Sequence, residues 1–270
     1  VLGVSRSGYY AARLRAGQRP RICATSTHLR AAFAASGRSY GSRRLGAALR
    51  AQGLQVGRYR VRTLMRLNRL RPVWKRKFIH TTDSHHALPI AGNVLNRNFA
   101  PAMANAAWVS DITYIRTRSG WLYLAVVLDL YARKVVGWAM APTMHAELVW
   151  AALQLAIAQR QPTPGLIVHS DRGSQFRSRK FVHALSHNGL HGSMGRVGAC
   201  GDNAAMESFF ALLQRNVLDR RRWTTRAELR MAIVIWIERT YHRRRRQLRL
   251  GRLTPIEFET IMNTTAALAA

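Results

Sequence analysis

The sequence predicts a mixed α/β fold, a five-stranded sheet with flanking helices, preceded by a small helical helix-turn-helix domain. Three observations predict it. Residues 108–117, 121–131 and 134–141 are rich in β-branched and aromatic side chains and follow one another closely, the pattern of an antiparallel meander. Two shorter runs, 165–170 and 190–194, alternate with helical stretches, the order expected of a mixed sheet. Ahead of these, two short apolar-periodic segments meet at a glycine turn, and the second is studded with arginine.

The elements follow in chain order. Residues 1–30 are Arg-rich with Gly and Pro interruptions and read as a helical or irregular lead-in. A helix over 42–52 is expected, capped by Ser42, with Leu45 and Leu49 on one face and Gly53 as its stop. After the turn at 54–57, a helix over 58–68 places Val61, Leu64 and Met65 inward and its arginines mostly outward. Helix, turn, basic helix is the outline of a helix-turn-helix, although an αα-hairpin with a solvated Arg face fits the same pattern. Residues 73–104 read as a linker, with Pro89, Pro101 and Gly92 and a cluster of His80, His85 and His86. Without nearby cysteines, those histidines read as solvated loop rather than a zinc site. The meander turns at 118–120 and 132–133. A helix over 145–160 stops at Pro162 and Pro164, a buried strand ends at Asp171, and helices are expected over 178–188, 203–219 and 225–241. The domain plan is 1–72 helical with the helix-turn-helix at about 40–70, 73–104 linker, 105–222 mixed α/β core, and 223–270 a basic helical tail.

Charge narrows the function. The 270 residues carry 43 Lys and Arg against 12 Asp and Glu, a formal net charge of +31. Residues 1–110 hold 20 of the basic residues and a single acid, Asp83. Such a chain has a polyanion as its expected partner, and nucleic acid is the commonest. A membrane surface fits less well, because the charges do not gather on one amphipathic helix beside an apolar anchor. No segment is long and apolar enough to span a bilayer and no signal peptide is evident, so the expected location is cytoplasmic, at the nucleoid. Two cysteines, Cys23 and Cys200, exclude a disulfide framework and a cysteine-based zinc cluster.

With acids so scarce, three stand out. Asp111 falls mid-strand, Asp171 where an apolar strand ends, and Glu207 inside a helix among large apolar neighbours. Each alone reads as a structural or surface residue. Together they suggest a divalent cation, because a buried carboxylate needs compensation and hard cations take oxygen ligands. Two ions about 3.5–4 Å apart can activate an attacking hydroxyl and stabilise a leaving oxygen in phosphodiester chemistry.

Residues 108–219 resemble the catalytic core of DDE transposases and retroviral-type integrases, which share a ribonuclease-H-like fold. Thirty-five residues separate Asp171 from Glu207. The chain is most similar to bacterial insertion-sequence transposases of the IS3 family, in the product of their second reading frame. The strings that carry the resemblance are Trp108-Val-Ser-Asp-Ile-Thr-Tyr114, Trp121-Leu-Tyr-Leu-Ala-Val-Val-Leu-Asp129, His169-Ser-Asp-Arg-Gly-Ser-Gln-Phe176 and Asp202-Asn-Ala-Ala-Met-Glu-Ser-Phe-Phe210. Tyr40-Gly-Ser-Arg-Arg-Leu45, Tyr241-His-Arg-Arg-Arg-Arg246 and Leu253-Thr-Pro255 resemble its flanks, so the likeness spans about residues 1–260.

The resemblance implies a transposase that cuts one strand at each element end and uses the freed 3′-hydroxyl to attack DNA, with no covalent protein intermediate. Asp111, Asp171 and Glu207 would then be both the catalytic residues and the ligands of two Mg2+ (or Mn2+) ions. Asp129 matches a structural position, and Asp202 reads as a loop or cap acid. The family's common Lys seven residues after the Glu is here Gln214; Gly195, Gly201, His242 and Gln247 also depart from its pattern. The alternative is a catalytically decayed, DNA-binding remnant that regulates the same element. The resemblance also implies double-stranded DNA (terminal inverted repeats and target) as partner, a homo-oligomer on that DNA, and an upstream reading-frame product, fused or separate.

Candidate DNA contacts are Arg58, Arg60, Arg62 and Arg66 on the second helix, Gln214 along the helix from Glu207, and two arginine runs. These runs are Arg220, Arg221 and Arg222, and Arg243, Arg244, Arg245 and Arg246; a run without reading geometry gives salt-dependent backbone affinity. His169 and Gln175, flanking Asp171, could orient a ligand or phosphate or simply pack.

Overall fold

A computed structural model describes residues 5–17, 23–73, 89–195 and 202–268. The histidine cluster at 80–86 and the departure at Gly201 lie outside the described residues. The chain divides into two compact units, Val1–Trp74 and Lys75–Ala270.

The first unit is helical: α1 Arg6–Gly17, α2 Ala24–Ala35, α3 Ser42–Ala51 and α4 Arg58–Leu67. The last three share one core, in which Leu29 and Phe33 of α2 meet Leu45 and Leu49 of α3 and Val61, Leu64 and Met65 of α4. The lead-in, expected to be helical or irregular, is helical in α1 and α2, and α2 runs on to Ala35; its apolar face has a purpose only once α3 and α4 are beside it. Ser42 is not the cap it was expected to be. Gly41 takes that position and Ser42 is the first helical residue, without a side-chain capping bond. Gly53 does end α3, at φ +82, with Leu54 N–H donating to Leu49 O and Gly53 N–H to Arg50 O, the paired bonds of a Schellman stop.

The second unit is built on a five-stranded sheet, β1 Ala107–Thr117, β2 Gly120–Asp129, β3 Val135–Ala141, β4 Ile167–Ser170 and β5 His191–Met194, in the order β3-β2-β1-β4-β5. The first three form the antiparallel meander; β4 and β5 join parallel to β1. One face is covered by α5 Ala146–Arg160 and α6 Arg179–His187, through Val149, Leu153 and Phe181 against Trp108, Ala125 and Val127. The other is covered by α7 Ala204–Asn216 and α8 Arg226–Ile235, through Met206, Phe209, Leu213 and Ile233 against Val109, Leu124 and Val126. The α5 helix comes so close to β3 at Gly137 that a Cβ there would lie 2.2 Å from Ala152 O.

Residues 223–270 are not a separate tail. After α8, a π-helical turn Trp236–Tyr241 sends Trp236, Ile237 and Tyr241 into the same core, where Tyr241 stacks edge-on against Phe209 at 5.0 Å. The Tyr241 hydroxyl donates to Arg133 O at 2.8 Å. His242 Nε2 accepts the Val135 N–H at 3.1 Å, so this departure from the family pattern fills a structural role. Thr254 and Glu257 then form a reciprocal capping box at the start of α9 Pro255–Leu268, with Pro255 in its first turn. That arrangement is the physical content of the Leu253-Thr-Pro255 string. Buried Glu259 on α9 is held by Lys134 at 2.7 Å and by Arg160, which also lies 3.5 Å from the buried Asp129. Asp129 is therefore structural, as its position implied. Among the described residues no helix is long and apolar enough to cross a membrane.

Two outcomes test this packing. Gly137→Ala should overpack the α5–β3 contact and lower stability by about 1–3 kcal/mol, and Arg160→Ala, which strands Asp129 and Glu259, by about 3–5 kcal/mol. Denaturant unfolding of each variant measures both.

Candidate active site

The site is set by strand register. The parallel pairing of β1 with β4 matches Ala107 with Ile167, Trp108 with Val168 and Val109 with His169. Continued by two residues it places Asp171 beside Asp111, on strands about 5 Å apart. The pairing stops there because β4 ends at Ser170. Asp111 Oδ1 accepts the Ile112 N–H at 2.7 Å and Asp171 Oδ1 accepts the Gly173 N–H at 2.9 Å. Phe176, buried against Phe181, anchors the turn that follows Asp171, and Ser178 caps α6 by accepting from Phe181 N–H.

Glu207 comes from the first turn of α7, where the helix N-terminus favours negative charge. Asn203, which precedes α7, donates to Ser110 O at 3.4 Å and so ties the helix start to the residue before Asp111. The three acids act on one another at Asp111. Burial, repulsion from Asp171 and repulsion from Glu207 together push its carboxyl up to about 8, against the opposing Ile112 N–H. Asp171 is raised as well, by burial. Asp111 and Asp171 are half-buried and Glu207 is exposed. Among the described residues no three His, Cys, Asp or Glu side chains are gathered tightly enough to hold a metal ion. The three acids thus share an electric field here, and their carboxylates are more widely spaced than a coordination sphere.

A buried frame stands behind them. His169 bonds through Nδ1 to Ser193 Oγ at 2.9 Å, and Ser193 Oγ also accepts the Leu95 N–H. Desolvation lowers the pKa of His169, with Asp202 opposing. Asp202 lies in the turn before α7, as its reading as a loop or cap acid expected, and it is buried and paired with Arg97 at 2.7 Å. Part of the expected linker, Leu95 to Arg97, is therefore fastened onto the core. Nothing in its composition signalled this, since the contacts span about a hundred residues. A Cβ at Gly195 would come within 3.0 Å of the Asp202 Cβ, which accounts for the absence of a larger residue there. Gln175 donates to Met144 O at 3.3 Å, a positioning contact.

The candidate DNA contacts divide. Arg58, Arg60, Arg62 and Arg66 are all exposed on α4. Arg221, Arg222, Arg243, Arg244 and Arg246 are exposed too, with Arg221 paired to Glu228 at 2.7 Å and Arg246 to Glu257 at 3.6 Å. Arg220 is half-buried. Arg245 is buried, at 7% exposure, which corrects its reading as a surface contact: the π-helical turn rotates it inward. Exposed Gln214 donates to Asp219 at 2.8 Å.

Comparison with known proteins places this architecture. Residues 101–200 and 188–255 match Integrase core domain families, and residues 25–78 match an HTH-like domain family. The chain is 41% identical to the insertion element IS600 uncharacterized 31 kDa protein of Shigella sonnei, over 99% of each chain. It is 40% identical to transposase InsF for insertion sequence IS3A of Escherichia coli (strain K12), over 96% of this chain and 91% of that one. The chain belongs to the IS3-family transposases. Among solved structures, the HTLV-2 integrase catalytic core domain in complex with magnesium aligns with this transposase at a TM-score of 0.47 and 17% identity, over 58% of this chain and 98% of that one. By the family matches, the mixed sheet of the transposase is of the integrase-core kind, and an HTH-like unit precedes it.

The sign of the Asp111 shift gives a test. Its folded-state pKa lies above the ordinary 3.8, so without divalent ions its contribution to stability falls as pH rises from about 4 to about 8. Asp111→Asn should therefore melt higher than wild type at pH 8 in EDTA, with the difference shrinking toward pH 5. Melting temperatures at the two pH values check this.

Proposed function

We propose that this transposase cuts one DNA strand at each end of an insertion sequence and joins the freed 3′-hydroxyl to target DNA, with Asp111, Asp171 and Glu207 as its catalytic carboxylates. The observation that carries the reading is the convergence of the acids. Two are brought side by side by the β1–β4 register, and the third lies within their field on α7. The donor set is all oxygen, which suits Mg2+ or Mn2+, and the carboxyl raised to about 8 is the kind of buried anionic site that a divalent cation relieves. When bound, two such ions supply activation of the attacking hydroxyl and stabilisation of the leaving oxygen.

The chain itself contributes placement. The Ile112 and Gly173 amides each hold one oxygen of their carboxylate and leave the other for a ligand. The Asn203 contact sets where α7 begins, and with it where Glu207 stands. No side-chain nucleophile is required. The arginines exposed on α4 supply duplex affinity through backbone phosphates. Double-stranded terminal repeats and target DNA are the partners in this reading, held by a homo-oligomer with the upstream reading-frame product. The similarity to insertion-sequence transposases over nearly the full chain gives no support to the decayed-remnant alternative.

Purified chain, with the upstream product and end-labelled DNA carrying the element's own ends, should cleave in Mg2+ and not in EDTA. Asp111→Asn, Asp171→Asn and Glu207→Gln should each reduce cleavage by at least about a thousandfold, a loss of some 4 kcal/mol in transition-state stabilisation, while retaining DNA binding. Persistent cleavage by the triple variant would remove the assignment.

A further inference from the structure

The segment ahead of β1 does more than connect. Pro89 O accepts from Arg177 Nε at 3.0 Å and Gly92 O from the Met194 N–H at 3.3 Å, so the chain runs along the outer edge of β5. Leu95 is buried in the core that also holds Met206 and Phe209 of α7. Its N–H donates to Ser193 Oγ at 3.1 Å, and that oxygen bonds in turn to His169, two residues before Asp171. Arg97 Nε donates to Asp202 Oδ1 at 2.7 Å, five residues before Glu207. One short strap, 95–97, therefore touches the supports of two of the acids. Asn96 and Arg97 lie side by side in left-handed backbone, at φ +42 and +62, which costs energy in a residue with a Cβ. Such a pair persists only where the surroundings over-determine it. Here the determinants are the burial of Leu95, its bond to Ser193, the Asn96 N–H donating to Asn93 Oδ1 at 3.0 Å, and the pairing of Arg97 with Asp202.

Two polar contacts hold the start of α7. One is that of Asn203 with Ser110 O, which is long at 3.4 Å. Asn203 makes no side-chain capping bond, and its buried Oδ1 has no hydrogen-bond partner among the described residues. The other is the Arg97–Asp202 bond, which is short, joins opposite charges and ends on a buried carboxylate. Charge-assisted bonds are roughly twice as strong as neutral ones, so this is the firmer of the two. A helix is stiff over its first turn, and the place at which Asp202 is held carries through to Glu207. The three carboxylates are spaced more widely than a coordination sphere, so a small shift of α7 changes what they can share.

We propose that Arg97 is a positioning residue for the reaction: through Asp202 it sets the start of α7, and with it the place of Glu207 relative to Asp111 and Asp171. The proposal rests on the reading of the three acids as ligands of divalent cations, and the experiment separates the failure of one from the failure of the other.

The test follows Mn2+ binding to the full chain by the electron paramagnetic resonance signal of the free ion, without DNA, so that no cleavage is involved. Arg97→Ala should raise the Mn2+ dissociation constant about tenfold, the loss expected when a partner behind a ligand is removed. Arg97→Lys, which keeps the cation, should restore the affinity. Glu207→Gln should also weaken binding, and Arg97→Ala added to it should change nothing further, because Arg97 acts through Glu207. A merely structural role would lower the melting temperature in EDTA and leave the Mn2+ affinity of the folded chain unmoved. Circular dichroism checks that each variant is folded; if Arg97→Ala strands Asp202 and does not fold, Arg97→Ala/Asp202→Asn, which leaves no unpaired charge, replaces it. Mn2+ affinity unchanged by Arg97→Ala but lowered by Glu207→Gln overturns the proposal and leaves the acids standing. Losses that simply add place the action of Arg97 elsewhere and overturn it too. Wild-type affinity in Glu207→Gln removes the assignment of the third acid, and the proposal falls with it.

Discussion

Most of what this protein can do follows from where the pairing of β1 with β4 stops. Two parallel strands held in register over three residues deliver Asp111 and Asp171 to the same level, and the end of β4 leaves space above them. Carboxylates so placed lose hydration and repel, and the raised Asp111 shows the resulting penalty. A fold sustains such a site only if the surrounding packing fixes the strands. Here the two apolar layers do so, with α5 and α6 on one face and α7, α8 and the π-helical turn on the other.

The buried polar groups fall into two sets with different work. Asp129, Arg160, Lys134 and Glu259 neutralise one another far from the acids and bind the C-terminal helix to the ends of β2 and α5. His169, Ser193, Asp202 and Arg97 lie behind the three acids and join β4, β5, the start of α7 and the loop before β1. The second set makes the position of Glu207 depend on a loop more than a hundred residues earlier. Such a dependence suits a site in which a small displacement of one ligand changes the rate strongly.

Charge is organised at two levels. The exposed arginines of α4 form a cationic face on a small three-helix unit whose core is apolar. In the second unit the arginines are less uniform. Arg245 is buried, Arg221 and Arg246 are paired, and Arg116, Arg118 and Arg222 are exposed. A run of arginines in sequence is therefore a poor guide to which of them meets a phosphate, because helical rotation sends neighbours to opposite sides.

The sequence by itself determined the strands, the order of helices, the basic second helix of the N-terminal unit and the three acids. These depend on local pattern: alternation, apolar periodicity, and carboxylates in apolar settings. It did not determine the packing of α2 against α3 and α4, the burial of Arg245, the docking of 229–241 into the sheet, or the pairing of Arg97 with Asp202. Each depends on contacts between residues far apart in the chain, and a side chain's partner across such a distance leaves no mark on its neighbours. The spacing of 35 residues between Asp171 and Glu207 names the candidates; only the register of β1 against β4 decided that Asp111 and Asp171 stand side by side, and only the contact that fixes the start of α7 brings Glu207 near enough to repel Asp111.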